Sequence, residues 1–243
     1  MRTTAALLAF AATLGMTGAA MAQSRDFDLT GFDRIDIATG LDAVVTIGDS
    51  FSVHAESRSQ DALDKLEVAV NGGVLSAKLE QNFFDFIVSG GLVGMLLSDG
   101  QAVQFTITVP ALVGAEASSG ADIDLPGFRG DRLELEASSG ADISVTDATL
   151  GTVTASASSG ADITLSGAAE AIEADASSGA DINAENLTAK TATAQVSSGA
   201  GISLRASQAI TAEASSGGDI EVYGNPATRD IDASSGGDIS FDD

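Results

Sequence analysis

An all-β chain is expected, a parallel β-helix with coils of 18–20 residues preceded by N-terminal β-strands, on three observations. A seven-residue motif, (Ala/Val)-Ser-Ser-Gly-(Ala/Gly)-(Asp/Gly)-Ile, starts at Ala117, Ala137, Ala157, Ala176, Val196, Ala214 and Ala233, at intervals of 20, 20, 19, 20, 18 and 19 residues. The segments on either side of each motif alternate apolar and polar residues with a period of two, and no helical period is present. Corner signals recur between them, in Pro126-Gly127, Ser166-Gly167 and Gly224-Asn225-Pro226. Self-similarity at this period marks a solenoid, in which one coil buries its apolar face only by stacking on the next.

The chain opens with Arg2, an apolar run from Ala5 to Met16, and Ala20-Met21-Ala22, a small-x-small cleavage site. Residues 1–22 are therefore expected to be a cleaved secretory signal, leaving Gln23 as the new N-terminus. The apolar run is shorter than the roughly 18–20 residues that span a bilayer, so cleavage rather than an anchor is expected. The best later candidate, Phe83 to Leu97, is broken by Asp85, Ser89, Gly90 and Gly91, so no transmembrane segment is expected after cleavage.

Residues 23–110 form the N-terminal β-rich part. Phe32 to Ile37 and Leu41 to Ile47 alternate around a Thr39-Gly40 turn, and Phe51 to Ala55 follows Gly48-Asp49-Ser50. Asp61 to Leu66 is the one short helix expected, with Ser59 as its N-cap. Glu67 to Val70, the Asn71-Gly72-Gly73 turn and Val74 to Leu79 read as a hairpin. Gln101 to Val109 is a further strand, stopped by Pro110. Between these strands lies an apolar insertion, Phe83 to Leu97. It is read either as a hydrophobic cap on the sheet or as an exposed patch that docks a protein or cell-surface partner.

Residues 111–243 carry the repeat. Leu133, Leu135 and Ala137, or Ile172, Ala174 and Ala176, are expected to point inward ahead of the motif, and Ile143 with Val145 or Ile163 with Leu165 after it. Glu134, Glu136, Glu173, Asp175, Gln195, Glu213 and Asp232 then face water. So many inward alanines imply a closely packed interior with no room for a ligand. Stacking places like on like, so Asp122, Asp142, Asp162 and Asp181 form an acidic column that continues, after Gly201, at Asp219 and Asp238. At the spacing of adjacent strands two carboxylates repel by roughly 1 kcal/mol in water. Relief comes from splayed solvated side chains, hydrogen bonds, raised pKa values or a bound cation. Asp122, Asp142, Asp162 and Asp181 are accordingly the candidate ligands for Ca2+, which takes several oxygen donors.

Composition narrows the function. The formal net charge is −24, so nucleic acid is excluded as an expected partner. There is no cysteine or tryptophan, and His54 is the sole histidine. His54 lies in a strand-like run with no nucleophile elbow nearby, Arg129, Arg132, Lys190, Arg205 and Arg229 are scattered, and the acids recur identically in each coil. General acid–base catalysis needs two carboxyl groups in unlike environments. No catalytic residue and no organic cofactor are expected.

FDRIDIATGLDAVVTIGDSFSVHAES (32–57), NGGVLSAKLE (71–80), FTITVPAL (105–112) and the recurring SSGADI coils together resemble the head GIN domain family, exported bacterial proteins described as auto-transporter adhesins. The resemblance covers nearly all of the chain beyond the signal. It implies a right-handed parallel β-helix whose N-terminal strands form its first coils or a packed β-layer, and it implies no enzymatic residues. No C-terminal run of barrel strands follows the seventh motif, so export by the signal peptide rather than self-translocation is expected. The functional expectation is an exported, non-enzymatic β-helical protein, periplasmic or extracellular, with a structural or adhesive binding role. The alternatives are a periplasmic calcium-binding or envelope-stress accessory module and a carbohydrate-active β-helix enzyme.

Overall fold

The computed structural model describes residues 22–80 and 103–242. The expected signal sequence up to Met21 and the apolar insertion Phe83 to Leu97 lie outside the described residues. Strands β1 (Gln23–Phe27), β2 (Arg34–Ala38), β3 (Asp42–Ile47) and β4 (Ser52–Ser57) precede helix α1 (Gln60–Asp64). β5 (Leu66–Asn71) and β6 (Val74–Leu79) form the expected antiparallel hairpin, and β7 (Val103–Val109) follows. The coils then run through β8 (Gly114–Ser118), β9 (Asp122–Pro126), β10 (Arg129–Ser138), β11 (Asp142–Ser158), β12 (Asp162–Ser177), β13 (Asp181–Val196), β14 (Gly201–Ala214), β15 (Asp219–Tyr223), β16 (Thr228–Ala233) and β17 (Asp238–Asp242).

The coils stack in parallel as a β-solenoid, and the motif sets their register. Ala117 lies beside Ala137, Ala137 beside Ala157 and Ala157 beside Ala176. Past the turn, Ile123 lies beside Ile143, Ile143 beside Ile163 and Ile163 beside Ile182. Between these two runs the chain turns at the second serine and the glycine, both with positive φ, 51–58° for Ser119 and its six counterparts and 69–83° for Gly120 and its counterparts. Two central residues of positive φ make a type I′ turn, closed where the Ala161 N–H donates to the Ser158 carbonyl at 3.3 Å. Glycine takes this conformation freely; the serine, small as it is, resists it by about 1 kcal/mol.

The uneven intervals are absorbed on the far side of the coil. A third short parallel run there places Thr149 beside Ala168 and Ala168 beside Thr188, and every register shift between β11 and β14 falls at or next to it, as between Val145 and Ala148 or Ala184 and Thr188. The columns at the turn stay aligned because the slack lies elsewhere.

The interior is continuous from Ile35 to Val222. Alternate residues point in, so Leu133, Leu135, Ile143, Val145, Val153 and Ile163 are buried and the expected alanines fill the space between them. No buried polar side-chain atom lacks a hydrogen-bond partner among the described residues. The last coil is less covered. Every residue of β16 is exposed, Ile231 by 39%, and Ile239 and Phe241 are half-buried.

The sheets run unbroken across residue 110. β2 pairs with β8 and β3 with β9, both in parallel, so the N-terminal strands supply the first coil. Strands β4 to β7 cover the open side of that coil. β6 joins β2 and β7 joins β3 in parallel; β5, β4 and β1 are then added antiparallel. Ser59 caps α1 as expected, its Oγ accepting the Ala62 N–H at 3.3 Å, and the helix buries Ala62 and Leu63. Among the described residues no helix is long and apolar enough to cross a membrane.

Candidate functional site

The acidic column is real and longer than the motif indicates. Asp122, Asp142, Asp162 and Asp181 stand side by side on successive coils, followed by Gly201, Asp219 and Asp238. Asp42 of β3 precedes them, paired with Asp122. The motif does not announce it, because its turn reads Ala38-Thr39-Gly40-Leu41-Asp42, with one hydroxyl residue in place of two. The signal was there: Thr39 and Gly40 have φ of 63° and 67°, and their N–H groups donate to the Ser118 and Ser119 carbonyls at 3.3 and 3.1 Å.

Three carboxyls of the column, those of Asp42, Asp122 and Asp142, hold their protons more tightly than an ordinary aspartate. Burial, then the Asp42, Asp142 and Asp124 carboxylates, push the Asp122 carboxyl above its ordinary value. Burial and Asp124 do the same to Asp42. Burial and Asp162 raise Asp142, against which the Asp162 backbone N–H works by hydrogen bonding. Among the described residues no three His, Asp or Glu side chains are grouped as they would be to hold a metal ion, so the four candidate ligands are aligned but do not converge. Nor does any hydroxyl bond join the serines of successive motifs there.

A second column lies ahead of the turn. Asp36, Glu116, Glu136, Ser156, Asp175, Gln195, Glu213 and Asp232 are neighbours on successive coils. From Glu116 to Asp232 they line, with the first serines of the motifs from Ser138 onward, an open groove of about 440 Å³ that includes Glu136, Ser138, Asp175, Ser177, Glu213 and Ser215. Burial raises Glu116, helped by Asp36 and Glu136, and burial with Glu173 raises Asp175. At the N-terminal end of this face the Arg34 guanidinium donates to Glu134 at 2.7 Å and holds that carboxyl below its ordinary value.

His54 stands apart, on β4. Its Nδ1 is 2.6 Å from Asp26 Oδ1 and its Nε2 3.1 Å from Glu56 Oε1, and these bonds raise its pKa. The arrangement as a whole offers repeated carboxylates and hydroxyls on two outer faces.

The family model described as "Putative auto-transporter adhesin, head GIN domain" matches residues 31–226, most of the chain and nearly all of the solenoid. The chain belongs to this family. No curated protein matches it in sequence. This head GIN domain is similar in structure to a "putative adhesin" of Bacteroides fragilis, with a TM-score of 0.77 at 18% identity over 91% of this chain and 97% of that one. It is also similar to a "putative lipid binding protein" of Parabacteroides distasonis, with a TM-score of 0.70 at 16% identity over 93% and 98% of the two chains. A "putative adhesin" of Parabacteroides merdae aligns with a TM-score of 0.63 at 12% identity over 93% and 98%. At these identities the likeness is one of fold.

Proposed function

We propose that this head GIN domain is an exported, non-enzymatic module with an adhesive or structural role, presenting the outer faces of its coils to a partner on a cell surface or in the envelope. The observation that carries this reading is the sameness of those faces. The columns through Asp122 and Glu136 repeat one short polar or acidic position coil after coil, over an interior filled by alanine, isoleucine, leucine and valine. Catalysis needs a small group of unlike residues tuned apart in one cleft, whereas extended contact benefits from many equivalent weak positions. Export is supported by the start of the sequence, where Arg2, the apolar run from Ala5 to Met16 and the Ala20-Met21-Ala22 site have the form of a cleaved signal.

The test is binding of the fluorescently labelled chain from Gln23 onward to intact bacterial cells, isolated envelope and lipid vesicles, beside a panel of glycans assayed for cleavage. Saturable binding to cells or envelope, lowered by replacing Glu136, Asp175 and Glu213 with Gln or Asn, is the expected result. Loss of binding in the Leu92→Asp, Leu96→Asp double variant would move the contact to the apolar insertion. Glycan cleavage, or no saturable binding anywhere, would overturn the reading. Expression of the full chain with fractionation and N-terminal sequencing tests cleavage after Ala22 and separates periplasm from surface. The alternative of a calcium-binding module rests on the alignment of Asp122, Asp142, Asp162 and Asp181. It requires millimolar Ca2+ to raise the melting temperature above that in EDTA.

A further inference from the structure

Both nitrogens of the His54 ring meet carboxylates that can only accept. A neutral imidazole carries one N–H, so it could satisfy either Asp26 or Glu56 and would turn a lone pair on the other; the imidazolium donates to both. Asp26 lies on β1 and His54 directly opposite it on β4, so the first of these bonds ties the N-terminal strand to the sheet. We propose that β1 is a pH-sensitive strap, held on the edge of β4 by the doubly protonated His54 side chain and loosened when that ring loses a proton.

Little else holds β1 down. Among the described residues it pairs only with β4, and of its five residues four are exposed while Phe27 is half-buried. Phe27 stacks on Phe105 at 6.3 Å between centroids, and Arg25 lies 4.8 Å over the Phe27 ring, with its Nη1 donating to the Leu63 carbonyl at 3.2 Å. A terminal edge strand of this kind opens at small cost, so a modest change in one contact moves its population.

The two carboxylates that meet His54 favour the proton, against its partial burial, which opposes it. From β1 it faces Asp26, with Asp28 just beyond the strand; on its own strand it faces Glu56; and across β7 its partner is Thr106, between Gln104 and Thr108. The α1 segment packs against both β1 and β4, but Lys65 beside it is taken by Asp61 at 2.6 Å and Gln60 by Asp64 at 2.9 Å. The side-chain bonds to Asp26 and Glu56 raise the ring's pKa above that of the unfolded chain. The grip is therefore full below the ordinary histidine value, about 6.5, and is lost as pH rises through the raised folded value. Release frees the N–H and C=O row of β4, an edge on which another strand can be added.

Because His54 is the only histidine, a single imidazole Hε1 resonance reports its titration in the intact chain. That titration is compared with hydrogen exchange at the β1 amides, corrected for intrinsic rates, across neutral to mildly alkaline pH. The expected result is a midpoint above the ordinary value and loss of β1 protection along the same curve. The opening equilibrium should shift about tenfold for each unit between the folded and ordinary values. Asp26→Asn should lower the midpoint and His54→Gln should make β1 protection independent of pH, while amides of β11 to β13 stay protected throughout. A ring titrating at the ordinary value would overturn the proposal. So would β1 protection that stays level through the titration, or β11 to β13 opening together with β1. The unsubstituted chain decides each of these by itself.

Discussion

Replacing Asp122 by Asn removes one charge from the acidic column while keeping the side chain's size and its capacity to hydrogen-bond. The chain is expected to become more stable at neutral pH. Asp122 lies between Asp42 and Asp142 on adjacent strands. Parallel strands run about 4.8 Å apart, and two unit charges at that distance repel by about 0.9 kcal/mol in water. Salt at physiological strength, with a Debye length of about 8 Å, cuts this to about 0.5 kcal/mol per neighbour. Two neighbours give about 1 kcal/mol, which for a domain of this size is a rise of about 2–4 °C in Tm. Burial of the carboxyl, the first cause of its raised pKa, adds to the gain. Scanning calorimetry in EDTA, at physiological and at molar KCl, is the assay; at the higher salt the Debye length falls to about 3 Å and most of the gain should vanish. A variant that melts below the parent in EDTA would refute the reasoning, because the carboxylate would then be making bonds worth more than its repulsion. A deficit seen only in calcium would turn the column into a metal site.

The same physics sets the pH dependence. Asp42, Asp122, Asp142, Glu116 and Asp175 all have raised carboxyl pKa values, so the stability they contribute is full below the unfolded values, about 4, and is lost as pH rises through the folded ones; Glu134, lowered by Arg34, opposes them. Tm followed from neutral pH downward should therefore climb through the mildly acidic range before it falls, and a steady decline from pH 7 would contradict the shifts. Gly167→Ala should cost about 3 kcal/mol, since a Cβ there runs into the Ala148 backbone at a φ of 120°, whereas Gly160→Ala, at a φ of 70° in open space, should cost about 1 kcal/mol; urea unfolding separates the two. Leu135→Ala, fully buried in β10, should cost about 2–5 kcal/mol by the same measurement. Titration of Ca2+ into the intact chain should release no heat and leave Tm unchanged, and a saturable heat would revive the metal reading.

The coils were legible because their reasons are local. A period of two puts Ile143 and Val145 inside whatever the neighbours do, and a Ser-Ser-Gly turn with two positive φ values announces itself in three letters. Asp42 was hidden because Thr39-Gly40 reaches the same turn with different residues, and its place beside Asp122 depends on pairing across 80 positions of sequence. β1 was hidden for a different reason. Gln23 to Phe27 has almost no apolar content to bury, and it becomes a strand only because β4 offers an open edge and His54 a partner for Asp26. The groove along Glu136 and Asp175 belongs to the same class: each residue could be assigned to the outside from its own segment, but their alignment follows from register. The last coil keeps the motif yet leaves Ile231 exposed, which its sequence does not announce.

The place of β4 to β7, between β3 and β8 in the sequence, bears on the order in which the chain can assemble. Bringing Asp142 beside Asp122 closes a loop of 20 residues, but bringing Asp42 beside Asp122 closes one of 80. Two doublings of loop length add about 1.2 kcal/mol of closure entropy, so the short closures between consecutive motifs nucleate first and the N-terminal coil docks onto a stack already begun. A chain threaded through a membrane pore N-terminus first would emerge in the opposite sequence. Its earliest strands, β2 and β3, would meet β6 and β7 before Asp122 had cleared the pore, so the N-terminal strands would pair among themselves first and the stack would be added to them.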